Sequence, residues 1–402
     1  MAGPKFSILS QISIAHLVSH IHMMALPALM PFMVVQTELS FIQIGLAISV
    51  FNIVSALIQA PMGFFVDHIG AKRVLIGALI FGGCSFISIG LIDHYYWLII
   101  AMGLAGVANS VYHPADYAIL SQNIVENRMG RAFSIHTFCG FLGTAITPVL
   151  LLAIAAFSGI ASAFIVTGLI GIVSALVLIP PAKEQAVARQ VEAKPVAKKL
   201  NVRKRDLLTP SILLMLMLFL LTSLSGGAIQ NFSVSAFITG YGLPLTEANI
   251  ALTTFLFANA AGVLIGGQLA DYTQRHGMIA AMALIFTAIL AMFIVYYDFS
   301  SMTLLIIMGL MGCGSGIIAP SRDMLVRAAA PVGAEGRVFG IVSTGFNIGG
   351  TIGPLLFAWI LDQGHPRGIF LCAALFMVMT SAIAIYQELY GTKRAPVAAV
   401  SS

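Results

Sequence analysis

Long apolar stretches, separated by short polar breaks, run almost from end to end of the chain. Twelve can be marked out, at 7–35, 42–65, 74–92, 97–121, 132–157, 160–180, 210–238, 248–270, 278–297, 302–325, 338–361 and 368–389. Roughly 20 consecutive apolar residues are enough to cross the hydrocarbon core of a bilayer as an α-helix. The short segments of alternating polarity that a membrane β-barrel needs are missing. The pattern therefore predicts an all-α membrane protein with twelve spans. The first stretch is of full length and lacks a small-residue cleavage site, so it reads as a retained span and not as a signal peptide.

The pattern is also duplicated. Gly130-Arg131-Ala132-Phe133 recurs as Gly336-Arg337-Val338-Phe339, 206 residues later, and the match extends without a gap. Pro114 falls on Pro320, and Gly143, Ile146 and Pro148 fall on Gly349, Ile352 and Pro354. Gly63 to Asp67 recurs as Gly267 to Asp271 at an offset of 204. The organisation expected is a six-helix half at 1–181, a linker at 182–208, a second six-helix half at 209–390 and a tail at 391–402. Two like halves related by an axis along the membrane normal are one way to build a rocking transporter.

Composition excludes a large soluble core. Apolar residues make up 59% and charged residues 9% of the chain, where soluble domains average about 25% charged. The charges are distributed unevenly. With both termini on the cytoplasmic side, Lys5, Lys72, Arg73, Arg128, Arg131, Arg275, Arg327, Arg337, Lys393 and Arg394 all fall on that side, and the linker adds eight more cations. Arg322 lies within a span, and Arg367 alone is left for the outer face. This asymmetry sets the orientation. A basic linker facing an anionic inner leaflet also accounts for the net charge of +5 without any nucleic-acid partner. The outer loops Gln36–Ser40, Asp93–Tyr96 and Asp298–Ser301 are very short, so recognition is expected inside the membrane. Cys84, Cys139, Cys313 and Cys372 are widely separated within spans and read as apolar fillers.

Several motifs carry chemistry. After the second span comes Gly63-Phe-Phe-Val-Asp67-His-Ile-Gly70-Ala-Lys72-Arg73. Here a small residue permits helix approach, a carboxylate sits at a helix end, a glycine makes the turn and two cations follow. Its second copy, Gly267 to Asp271 with Arg275 and Gly277, is longer and degenerate. These loops resemble the helix 2–3 and 8–9 signatures of the major facilitator superfamily, and the resemblance covers essentially the whole chain. It implies the fold of that family: twelve transmembrane helices in two pseudo-symmetric halves, both termini cytoplasmic, in a plasma (bacterial inner) membrane. It also implies a cytoplasmic latch, carried here by Gly63, Asp67, Gly70, Lys72 and Arg73, with Glu126 and Arg131 in the 4–5 loop and Asp271, Arg275 and Arg337 in the second half.

Within the family, His16-Leu-Val-Ser19-His20-Ile-His22 with Pro27 and Pro31, together with Tyr112-His113-Pro114, looks like the fosmidomycin-resistance type of efflux transporter. Where that type tends to carry an Asp in helix 1, this chain has His20. Met102 stands where many proton-coupled antiporters have a helix 4 Arg, and Thr147-Pro148 replaces the Gly-Pro of their helix 5 signature. Gly353-Pro354 keeps that pair in helix 11.

Ionisable groups inside spans are costly and line cavities or pair with each other. Here they are His16, His20 and His22 in helix 1, His113 and Asp116 in helix 4, His136 in helix 5, and Arg322 and Asp323 in helix 10. His16 and His20 lie four apart and share a helix face, whereas His22 points away from His16. Since helices 1, 4, 7 and 10 line the central cavity of the resembled fold, the substrate and proton cavity is assigned to His16, His20, His113, Asp116, Arg322 and Asp323. Asp116 and Arg322 are equivalent by the 206-residue offset and are expected to face each other across the inner part of the cavity, pairing in one state and separating in another. His16 and His20 could seed a metal site, but no second His pair exists in the sequence, so neither a metal nor another cofactor is expected. There is no Gly-x-x-x-x-Gly-Lys-Ser/Thr nucleotide loop.

The reading is a monomeric secondary transporter, not an enzyme, moving a small molecule in exchange for protons. Efflux of a drug or metabolite comes first. Uptake of a small organic anion is the alternative.

Overall fold

The computed structural model describes residues 7–124, 126–179, 209–329 and 335–391. The 182–208 linker and the tail beyond Gly391 lie outside them. Every predicted span has a helix. The first four are α1 (Ile8–Gln36), α2 (Phe41–Ile69), α3 (Ala71–Leu91) and α4 (Tyr95–Asn123). A 53-residue element, Glu126–Leu178, follows and leaves helical geometry inside its length at Gly159 (φ 84°, ψ 165°). We number its two arms α5 (126–158) and α6 (160–178). Positive φ suits glycine because it has no Cβ, so the two spans turn at one residue where a loop would be expected. The second half holds α7 (Pro210–Tyr241), α8 (Leu245–Tyr272), α9 (His276–Tyr296), α10 (Ser301–Ala329), α11 (Glu335–Asp362) and α12 (Arg367–Tyr390).

Local chemistry explains where the helices start. Ser7 accepts from the Ser10 amide, and Ser40 with Gln43 forms a capping box ahead of α2. Thr209 accepts from the Ile212 amide, with Pro210 in the first turn of α7. Each cap satisfies amides that a helix start leaves without intrahelical partners. Large apolar side chains such as Leu57, Phe157, Val173, Leu176 and Trp359 stay exposed on the bundle. That is costly in water and natural against lipid, in keeping with a multi-pass membrane protein.

The packing repeats the duplication. In the first half α1 packs on α5, α2 on α4, and α3 on the Glu126–Leu178 element and α4; in the second, α7 packs on α11, α8 on α10, and α9 on α12 and α10. The halves meet through α2 against α11 and α5 against α8, which are equivalent pairs under the repeat.

The seam between the halves is uneven along the membrane normal. The Ile42 amide donates to Asp362 Oδ2 at 3.0 Å, and Ser49 Oγ donates to the Thr351 carbonyl at 2.8 Å. A Cβ on Gly45 would meet the Pro354 carbonyl at 2.8 Å. All of these lie toward the end remote from the basic loops. There the buried core of the first half, including Leu29, Phe51, Met102 and Leu151, is continuous with that of the second. Toward the basic end, Ile12, Val18, Leu79, Val111, Ile119 and Leu178 form a separate cluster confined to the first half. Among the described residues the halves are thus joined at one end and parted at the other, which leaves a cleft opening at the basic end.

Candidate functional site

α1 supplies His16 and His20, four residues apart on one face, about 12 and 18 Å along the helix at ~1.5 Å per residue. α4 supplies Asp116 and, one turn earlier, Tyr112 and His113. α5 supplies His136, Gly140, Gly143 and Thr144, a stripe at helical spacing. That stripe has little bulk: a Cβ on Gly143 would sit 2.2 Å from the Leu17 carbonyl, and one on Gly140 2.7 Å from His16 Nε2. The two glycines let α5 lie directly against the histidine face of α1.

The outcome is a nest of imidazoles around one carboxylate. His16 Nδ1 is 3.5 Å and His136 Nε2 3.4 Å from Asp116 Oδ2. The His16 and His136 rings stack at 4.0 Å, and His16 meets His20 edge-on at 4.7 Å and His113 at 5.8 Å. His20 Nδ1 is held by Thr144 Oγ1 at 2.8 Å. His16, Asp116 and His136 are almost fully buried, at 5%, 1% and 6% exposure. His113 is exposed, and its ring beside His16 gives the nest an accessible edge. An ionised carboxylate so buried needs a cation next to it, which here can be an imidazolium or a bound metal ion. His22 stands apart, as its helical angle predicts: its Nε2 lies 3.3 Å from the Thr167 carbonyl, among α3 and α6.

Of the residues assigned from sequence, the fold brings His16, His20, His113 and Asp116 together and adds His136. His136 was visible as an intramembrane histidine but was not assigned to the site. Its signal was the α5 stripe of His136, Gly140 and Thr144, which matches the His16–His20 spacing on α1.

The second half is built differently. Arg322 bonds its sequence neighbour Asp323, Nε to Oδ1 at 3.0 Å and Nη2 to Oδ1 at 2.9 Å. Its guanidinium lies over the Phe219 ring at 4.5 Å and the Phe346 ring at 4.8 Å. In this structure Asp116 and Arg322 are separate: Asp116 is enclosed by imidazoles of its own half, and Arg322 is engaged by its neighbour and two aromatic faces. The positions equivalent to the nest's histidines are apolar, with Val342 standing for His136, Ala319 for His113, and Leu220 and Leu224 for His16 and His20, while Arg322 stands for Asp116.

The latch residues lie at the open end. Gly70 turns the chain between α2 and α3 at φ 99°. Lys72 is half-buried; Arg73 is exposed, with Nη1 donating to the Ile69 carbonyl at 3.4 Å. Arg275 is exposed at the start of α9. The side chains of Asp67, Glu126, Arg131, Asp271 and Arg337 lie outside those the structure describes. Among the described residues, neither Gly63 nor Gly267 has any atom within 4 Å of an added Cβ.

Comparison with known proteins agrees with this architecture. The chain is similar to the fosmidomycin resistance protein of Escherichia coli, 27% identical over 281 residues, covering 69% of this chain and 68% of that protein. It is also similar to the multi-drug resistance efflux pump PmrA of Streptococcus pneumoniae, 24% identical with 85% of each chain covered. The multidrug resistance protein MdtG of Escherichia coli matches at 24% over 82% of this chain and 80% of its own. Among solved structures, a bacterial homologue of the human lysosomal transporter Spinster, in an inward-facing and occupied conformation, superposes with a TM-score of 0.74 at 13% identity, over 97% of this chain and 98% of the other. The family model of the Major Facilitator Superfamily matches residues 12–244 and 218–400. The helices described form two like halves, and with the family model matching nearly its whole length this chain belongs to the Major Facilitator Superfamily.

Proposed function

We propose that this transporter exports a drug-like or metabolite molecule by alternating access, in exchange for protons carried on the histidine–Asp116 nest. The observation carrying this reading is the nest itself. Four imidazoles and one carboxylate sit deep in the first half, with His113 at their accessible edge. Imidazole gains and loses protons near neutrality, and intramembrane carboxylate–histidine chains are a recurrent form of proton relay. Export is favoured by the relatives, whose names describe resistance and efflux. The protein works as a monomer in a bacterial inner membrane, with both termini cytoplasmic, as the basic loops require. The loop carboxylates and cations, Asp67, Lys72, Arg73, Glu126 and Arg131 with Asp271, Arg275 and Arg337, latch the basic end when the cleft closes.

One observation favours import of a small organic anion as a second reading: Arg322 places a guanidinium, paired with Asp323, in the second half.

Purified protein in liposomes with an internal pH dye tests both readings. A panel of hydrophobic cations and weak acids is added under an imposed proton gradient. Substrate-dependent proton movement opposite to substrate flux is the expected result. Movement of both in one direction, with weak acids only, would establish the second reading. Flux indifferent to collapse of the gradient would sink proton coupling.

A further inference from the structure

We infer that His16, Asp116 and His136 form a binding site for a divalent first-row transition-metal ion of the zinc, cobalt or nickel class, set inside the first half. The donor set is two imidazoles and a carboxylate from three different helices, α1, α4 and α5. That combination suits borderline divalent cations. No two of the three are near neighbours in sequence, so only the fold assembles them, and the second imidazole comes from α5 and not from His20.

The two contacts to Asp116 fit metal ligands better than they fit hydrogen bonds. Ligands about 2.0–2.1 Å from a tetrahedral ion stand roughly 3.3–3.4 Å from each other. His16 Nδ1 and His136 Nε2 lie 3.5 and 3.4 Å from Asp116 Oδ2, and donor atoms of all three residues fall within 4.8 Å of one another. As hydrogen bonds those contacts are too long. Accordingly, His16 Nδ1 and both Asp116 oxygens are buried without a hydrogen-bond partner, which is uncommon for buried polar atoms. A divalent ion would satisfy them and neutralise the carboxylate.

The surroundings suit a three-ligand site. Thr144 fixes His20 beside His16, and buried Tyr112 stands one turn before Asp116 on α4. Exposed His113 marks the side from which an ion or a fourth ligand enters. Sites with three protein ligands keep that fourth position open. The proposal stands on donor geometry and does not rest on the transport reading.

The test uses the full-length protein in detergent, stripped with chelator and titrated with Co²⁺ alone. Visible d–d absorption of a four- or five-coordinate ion should develop to a stoichiometry of about one per chain, and Zn²⁺ should abolish it. Asp116→Asn and His136→Gln should each weaken Co²⁺ binding tenfold or more. His22→Gln, whose imidazole sits elsewhere, should leave it unchanged. Monodisperse elution of each variant separates site loss from misfolding, and if one variant fails that check the other carries the test. Absence of Co²⁺ binding by the folded wild-type protein would overturn the proposal, as would equal affinity in folded wild type and His136→Gln. Neither measurement involves substrate or a gradient, so failure of proton exchange in liposomes and failure of this site are distinguishable.

Discussion

His136 brings its Nε2 to 3.4 Å from Asp116 Oδ2, across the gap between α5 and α4. The contact ties together two helices that otherwise pack mainly on other partners, α2 and α3 in one case and α1 in the other. Its members also differ from their counterparts in the second half, where Arg322 and Val342 stand. Removing either partner should therefore act on ion coupling more than on folding. Asp116→Asn and His136→Gln are each expected to cut substrate-driven proton movement by roughly 5–150-fold, the usual range of a coupling free energy. Pyranine-loaded liposomes measure it, and unchanged proton movement in either variant would remove the nest from the coupling path.

The two charges at equivalent positions do not meet in this structure, where each has partners of its own. Exchanging them, Asp116→Arg with Arg322→Asp, should restore no transport over the single variants. Arg322→Lys alone should lower thermal stability, because guanidinium over two aromatic faces contributes about 0.5–2 kcal/mol and an ammonium matches it poorly. Flux assays and a thermal unfolding scan check the two outcomes separately. Recovery of flux in the double exchange would reinstate the direct pair.

Gly63 and Gly143 make a contrasting pair. A Cβ at 143 would collide with the Leu17 carbonyl, while one at 63 meets nothing. Gly143→Val should destabilise by about 1–3 kcal/mol or more through overpacking. Gly63→Ala should leave unfolding temperature unchanged yet slow transport, since α2 must approach the second half when the basic end closes. A Gly63→Ala variant with full turnover would dismiss that closing contact.

At the sealed end, the Asp362 carboxylate accepts from the first-turn amide of Ile42. A negative charge at a helix start contributes about 0.3–1 kcal/mol when exposed. Asp362→Ala should shift the two-state balance about two- to fivefold toward opening at this end. A cysteine pair introduced as Ser49→Cys and Thr351→Cys reports it through slower crosslinking. An unaltered crosslinking rate would mean that apolar packing alone holds the seal.

Most of the fold was legible in the sequence because the bilayer leaves few choices. A span must be helical and long, so apolar runs such as 278–297 and 368–389 reappear as His276–Tyr296 and Arg367–Tyr390. Half of the site was legible for a similar reason, since His16 and His20 share a face by helical period alone. His136 was harder. Nothing in the chain shows that α5 lies against α1, and an isolated histidine carries no partner in its own neighbourhood. The separation of Asp116 and Arg322 in this structure was hard to read for the opposite reason. Equivalence in a duplicated chain relates the two halves by symmetry and says nothing of contact, and local partners, Asp323 with Phe219 and Phe346, were nearer to Arg322.

The turn at Gly159 gives the first half its mechanics. α5 carries His136 and Thr144, α6 packs against α3, and the two arms are joined by a single non-helical residue with no slack between them. Any displacement of α5 that follows occupancy of the nest has to be absorbed as rotation at that point or passed to α6 as a lever passes force. A residue that touches no ligand is thus placed to govern how far the half can swing.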